Sequence, residues 1–68
     1  MYSLKKTADG FWIITHPRHP GLAWSNEAPG WVPRSTWNAG RQWEVSLFAS
    51  EDEADDYATQ FSLYPRVG

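Results

Sequence analysis

Two histidines three residues apart, His16 and His19, are the first residues of this 68-residue chain whose types and spacing could do chemistry. On a helix that interval sets two imidazoles on one side, as in a two-histidine metal site. Pro17 and Pro20 exclude a helix there. No cysteine occurs and no third ligand is signalled. The pair therefore reads as loop surface, and neither a metal nor another cofactor is expected. An unperturbed imidazole titrates near ~6.5, which leaves a pH-dependent contact as the chemistry open to it.

The carboxylates are more concentrated. Glu51, Asp52, Glu53, Asp55 and Asp56 are five of the eight acids, so the rest of the chain carries six basic groups against three acidic ones although the net charge is −2. Acids in a first helical turn favour the positive end of the helix dipole, by roughly 0.3–1 kcal/mol each when exposed. One or two would serve that purpose, and five so close repel one another. The surplus reads as a patch for a basic partner, or as a surface resembling a phosphate row. A catalytic carboxylate pair would need one acid buried with a raised pKa, whereas the helical phase points these acids to water.

Rings carry the most information: Trp12, Trp24, Trp31, Trp37 and Trp43 accompany three Phe and three Tyr. Each buried aromatic removes about 150–250 Å² from water, and large rings can supply the core volume that a short chain lacks. Trp12 and Trp43 fall in strand-like sequence and suit that role. Trp24, Trp31 and Trp37 fall in loop-like sequence with Arg34 between the last two; Trp and Arg are enriched at interface hot spots, and core and binding surface are both open to these rings. The expected partner-binding set is therefore Trp24, Trp31, Arg34 and Trp37 with the acids Glu51, Asp52, Glu53, Asp55 and Asp56. Locally, Gly30-Trp31-Val32-Pro33-Arg34-Ser35-Thr36-Trp37 resembles the Gly-aromatic-aliphatic-Pro-x-x-aromatic stretch of SH3 domains, where it lines a groove for proline-rich peptides. That likeness covers eight residues of 68, with Trp37 where Tyr is usual. The acidic loop signals of an SH3 domain are missing, and a helix follows where its barrel would be finishing. No family membership follows.

The elements that must position these residues centre on residues 41–61. Trp43, Val45, Leu47 and Ala49 alternate with Gln42, Glu44, Ser46 and Phe48, a strand-like period of two. Ser50 and Glu53 then form the two ends of a capping box, and Ala54, Tyr57, Ala58 and Phe61 give one apolar helical stripe. Residues 2–7 read as an edge strand guarded by Lys5 and Lys6. Asp9-Gly10 signals a two-residue type I′ hairpin. Residues 11–15, apolar on both faces, read as a central strand. Residues 16–34 hold four of the five prolines and read as a long ordered loop, with a short extended piece at 30–32. A helical turn over 35–39 and a short last strand over 61–64 complete the pattern. The expected fold is a single α+β domain: an antiparallel sheet of three to four strands with one helix across one face.

A chain this short buries only about 60% of its unfolded surface and is marginally stable. No apolar run reaches the ~18 residues of a membrane span, and the residues after Met1 lack a signal-peptide core. With no cysteine, a cytoplasmic location is the expectation. No phosphate loop or nucleophile elbow occurs, and so small a body encloses little substrate, so no enzyme is expected. The leading expectation is a non-catalytic protein-binding module. Its class analogy is the stand-alone inhibitor that a phage uses to occlude a host nucleic-acid-binding protein. A homodimer through an apolar sheet face is a further arrangement. The alternative is single-stranded nucleic acid or a small ring-bearing ligand stacked on exposed Trp. Direct nucleic-acid binding ranks lower, because Lys5, Lys6, Arg18, Arg34, Arg41 and Arg66 are scattered.

Overall fold

The computed structural model describes residues 1–27, 29–33 and 45–67. Arg34, Trp37, Trp43, the helical turn expected over 35–39 and the first half of the strand expected over 42–49 lie outside the described residues. The rest form four strands, β1 (Ser3–Lys6), β2 (Trp12–His16), β3 (His19–Ser25) and β4 (Gly30–Pro33), followed by a helix, α1 (Glu51–Gln60). The strands make one antiparallel sheet in the order β1-β2-β3-β4. This is the expected small α+β fold.

The edge and centre of the sheet follow the hydrophobic pattern. Lys5 and Lys6 are exposed on β1, while Ile13, Ile14 and Thr15 of β2 are buried. Because side chains alternate across a strand, β2 serves two layers. Ile14 joins Tyr2, Trp24, Phe48, Ala54 and Ala58 beneath the helix. Ile13 joins Ala23, Val32 and Val45 on the opposite face. Ala54 and Ala58 have no exposed surface, and their small side chains let α1 lie close over β1 and β2.

Three local expectations are corrected. The β1–β2 turn is not type I′: Gly10 has φ +91 while Asp9 stays out of the positive-φ region, and the Gly10 N–H donates to Thr7 O at 3.0 Å. That is a three-residue loop whose glycine takes the left-handed position. Residues 16–34 are not a loop but hold β3 and β4, joined to β2 through the turn at Pro17 and Arg18. Proline is tolerated here because it sits where pairing starts or slips: His16 pairs with His19, but Thr15 pairs with Ala23, and Pro20 lies in the intervening irregularity. After α1, residues 61–64 form no strand. The chain pairs instead at Arg66, parallel to Tyr2.

Where β2 and β3 diverge, residues 45–48 enter the gap. Phe48 exchanges both backbone hydrogen bonds with Trp12, at 2.8 and 2.9 Å, and the Ser46 N–H donates to Trp24 O at 3.0 Å. The strand expected over 42–49 is not formed by its described part: residues 45–49 pair only at the isolated Trp12–Phe48 bridge, and the apolar alternation does not survive this crossing. Val45 is buried as its phase requires, yet Leu47 is exposed and Phe48 buried. The two hydrogen bonds to Trp12 set the side of Phe48, and it fills the layer under the helix. Phe48→Ala should therefore cost about 3–5 kcal/mol, and Leu47→Ala less than ~0.5 kcal/mol, in urea unfolding. The reverse order would refute this placement of residues 45–48.

Candidate functional site

Helix α1 sorts its carboxylates by direction. Ser50 caps it, its Oγ accepting from the Glu53 N–H at 3.2 Å. At about 100° per residue, Ala54 and Ala58 face the sheet, and Glu51 with Asp55 fall on the flank toward β1. There the Tyr2 hydroxyl donates to Asp55, and Arg66 stands 3.6 Å from Glu51 and 3.8 Å from Asp55. Burial, followed by the bond to Asp55 and its charge, raises the Tyr2 phenol above its ordinary pKa and keeps it a donor. Asp52, Glu53 and Asp56 are exposed and, among the described residues, have no ion pair. The five acids are thus two internal partners and three outward charges.

The opposite flank of α1 carries Tyr57 and Phe61, whose rings stack at 4.6 Å between centroids. From Phe61 an aromatic row crosses to the strands: Trp24 at 6.0 Å, Trp31 edge-on to Trp24 at 5.5 Å, His16 edge-on to Trp31 at 5.2 Å, and His19 beside His16 at 4.9 Å. Trp24 is buried, Trp31 partly buried, and Phe61 and His19 exposed. Of the residues expected to bind a partner, Trp24 is therefore a core ring in the free chain, and Trp31 lies at the margin. Arg34 and Trp37 are outside the described residues. Reading residues 16–34 as a loop hid the contribution of His16 and His19 to this row. Their flanking of Pro17-Arg18, a possible two-residue turn, was the available signal.

Four hydrogen bonds close a ring at the buried end of the row. The Trp24 indole N–H donates to Tyr57 Oη at 3.2 Å, and the Tyr57 hydroxyl to Asn26 Oδ1 at 2.5 Å. The Asn26 N–H donates to Ser46 Oγ at 2.9 Å, and the Ser46 N–H returns to Trp24 O at 3.0 Å. Only the Tyr57 hydroxyl both accepts and donates through one group, so the bonds from Trp24 and to Asn26 polarise each other. Beside the ring is an open depression of about 290 Å³ lined by Asn26, Glu27, Val45, Ser46 and Leu47.

The two histidines stand with ring centroids 4.9 Å apart. His16 Nδ1 accepts from the Arg18 N–H at 3.1 Å, so the neutral ring carries its proton on Nε2, and ligation through either nitrogen would require that arrangement to change. Among the described residues no group of three or more His, Cys, Asp or Glu is placed to hold an ion. Desolvation, then the charges of His19, the N-terminal ammonium and Arg18, lower the His16 pKa.

The fold and this surface define a small antiparallel α+β domain with an acidic helix beside an aromatic row. No family model, curated protein or solved structure matches the chain.

Two outcomes are expected. Because the folded His16 pKa lies below its unfolded value, the unfolded chain takes up the proton first as pH falls. Its share of stability is complete above about 6.5 and declines below that value. Asparagine can accept the same i+2 amide without titrating, so His16→Asn should flatten this part of a urea-midpoint profile between pH 7.5 and 5; an unchanged slope would count against it. For the hydrogen-bonded ring, Tyr57→Phe should cost about 1 kcal/mol. A double-mutant cycle with Asn26→Ala should show a coupling of roughly 0.5 kcal/mol or more, and strict additivity would refute the ring.

Proposed function

We propose that this chain is a non-catalytic protein-binding module that covers a basic surface on its partner. The observation that supports this reading is the placement of two features on one side of the sheet. Asp52, Glu53 and Asp56 point outward from α1, and the row from Phe61 to Trp31 and His16 begins at the next flank of the same helix. Such a surface offers charge complementarity at its centre and rings at its border. Charges of this kind set approach rate and register more than affinity, while partly exposed rings supply area that leaves water on contact.

A basic surface of the kind that grips nucleic acid is the partner chemistry the three free carboxylates fit. Occluding such a groove is how a small inhibitor of phage type would act, and the cytoplasm is the compartment in which it would meet that target. Among the described residues no helix is long and apolar enough to cross a membrane. The competing reading, bases stacked on exposed Trp, has less to draw on, because Trp24 is buried and its indole N–H is engaged.

The test uses the intact chain immobilised as bait in a lysate, with the captured protein purified and its affinity measured. Asp52→Asn, Glu53→Gln and Asp56→Asn together should weaken the complex roughly tenfold at low salt, since each exposed pair is worth about 0.2–1 kcal/mol. The same variant should lose most of the salt dependence, because exposed charges are screened beyond ~10 Å at 0.1 M. Trp31→Ala should raise the dissociation rate. Affinity indifferent to both changes would sink the reading, and quenching of indole fluorescence by micromolar oligonucleotide would favour the competitor.

A further inference from the structure

The outer edge of β1 is part of the sheet that the surface above does not use. Ser3, Lys5 and Thr7 point their backbone groups at β2, opposite Thr15, Ile13 and Phe11. By the two-residue alternation of an antiparallel ladder, Tyr2, Leu4 and Lys6 point theirs outward. Tyr2 is already satisfied from that side. Its N–H donates to Pro65 O at 3.2 Å, and its carbonyl accepts from the Val67 N–H at 2.7 Å. This edge therefore accepts an added strand at one end. Among the described residues nothing pairs with the outward N–H and C=O of Leu4 and Lys6.

Side chains state what would be accepted there. Lys5 and Lys6 are both exposed, and alternation places them on opposite faces of the sheet, flanking the open backbone from either side. Leu4 is partly buried against the layer beneath the helix. A strand laid along this edge would set one side chain beside Leu4, one beside Lys5 and one beside Lys6.

We propose that the β1 edge binds an extended acidic segment of another protein by strand addition, with an apolar residue beside Leu4 and carboxylates beside Lys5 and Lys6. Main-chain bonds supply the affinity and alternate side chains the selectivity in this mode of recognition. Edge lysines deter unwanted pairing, and the same charges discriminate in favour of a segment that neutralises them. A second copy of this chain is the poorer occupant: joining two β1 edges would bring lysines together. The chain's own acid-rich stretch is committed to the capped helix α1. This inference is independent of the acidic-helix surface and survives its failure.

The experiment is amide hydrogen exchange by NMR on the full chain. The probe is a short acetylated peptide in which each valine is followed by aspartate and glutamate, so that one register sets valine beside Leu4 and the two acids beside Lys5 and Lys6. Its controls are the same peptide with a central proline and one with glutamine in place of the acids. The acidic peptide should slow exchange at Leu4 and Lys6 at least about tenfold at saturation, leaving α1 amides unchanged, and the proline peptide should not. Lys5→Glu with Lys6→Glu, at exposed positions that leave the fold intact, should weaken binding roughly tenfold or more. Equal binding of the glutamine peptide, protection elsewhere, or no protection at millimolar peptide would overturn the proposal. Protection of these two amides that rises with protein concentration alone would assign the edge to a second copy, and would overturn it as well.

Discussion

The described structure depends on the circle of four hydrogen bonds through Trp24, Tyr57, Asn26 and Ser46. These residues belong to β3, to α1, to the turn after β3 and to the crossing segment before the helix. β3 runs into its turn and the crossing segment runs into α1, so the circle ties together two stretches of chain that are remote in sequence. One of its bonds also satisfies a group that burial would leave costly, the Trp24 indole N–H. An indole N–H under a helix loses water and would cost about 1–3 kcal/mol if unpaired. The Tyr57 hydroxyl both accepts that proton and donates its own, which only a hydroxyl among neutral side chains does so compactly. Trp24 can therefore be a core residue despite its polar edge, and the acidic face of α1 is turned outward as a consequence.

How the helix comes to lie there is a question of two residues. Phe48 is locked to Trp12 by a pair of backbone bonds, and Ser50 starts capping α1 two positions later. So short a link leaves the helix little freedom of direction. Ala54 and Ala58 then permit close approach, and the flanks of α1 fall where Tyr2 with Arg66 on one side and Trp24 on the other can engage them. The charge arrangement follows. Glu51 and Asp55 meet a cation and a hydroxyl, and Asp52, Glu53 and Asp56 keep their water. Exposed pairs of this sort contribute only about 0–1 kcal/mol, so the acids are placed by the packing of the helix rather than the reverse.

This division explains what the sequence disclosed. The helix was legible because its signals are local: a cap, a first turn of acids, and apolar residues at helical spacing all lie within a dozen positions. The central strand was legible because Phe-Trp-Ile-Ile-Thr is apolar on both faces. β4 was legible as the short extended piece at 30–32, but β3 was not, because Pro17, Pro20 and Gly21 mark it as loop by composition, and only its pairing with β2 and β4 reveals that the prolines sit at a turn and a slip in register. The phase of residues 45–48 was misread for a related reason. A period of two assumes a continuous ladder, and this segment bonds to two different strands as it crosses the gap. Of the candidate site, the acids were readable as a group, but their division into held and free depends on Arg66 and Tyr2, both remote in the chain. Of the two roles open to Trp24, the structure shows the core one, because β3 carries it and buries its ring.

A short chain rich in rings must place some of them where they are half wet, and the structure shows how that is made tolerable. Edge-on contacts repeat along Trp24, Trp31 and His16, so each ring that meets solvent on one side meets another ring's edge on the other, a geometry worth about 0.5–1.5 kcal/mol beyond area alone. The bond from the Arg18 N–H to His16 Nδ1 requires the neutral ring, and desolvation favours the same form. The row is thereby held by side chains whose positions are already fixed by β2, β3 and β4. A surface ordered in this way before contact loses little side-chain entropy when covered. That property, more than the number of tryptophans, makes the row a suitable border for the carboxylates of α1.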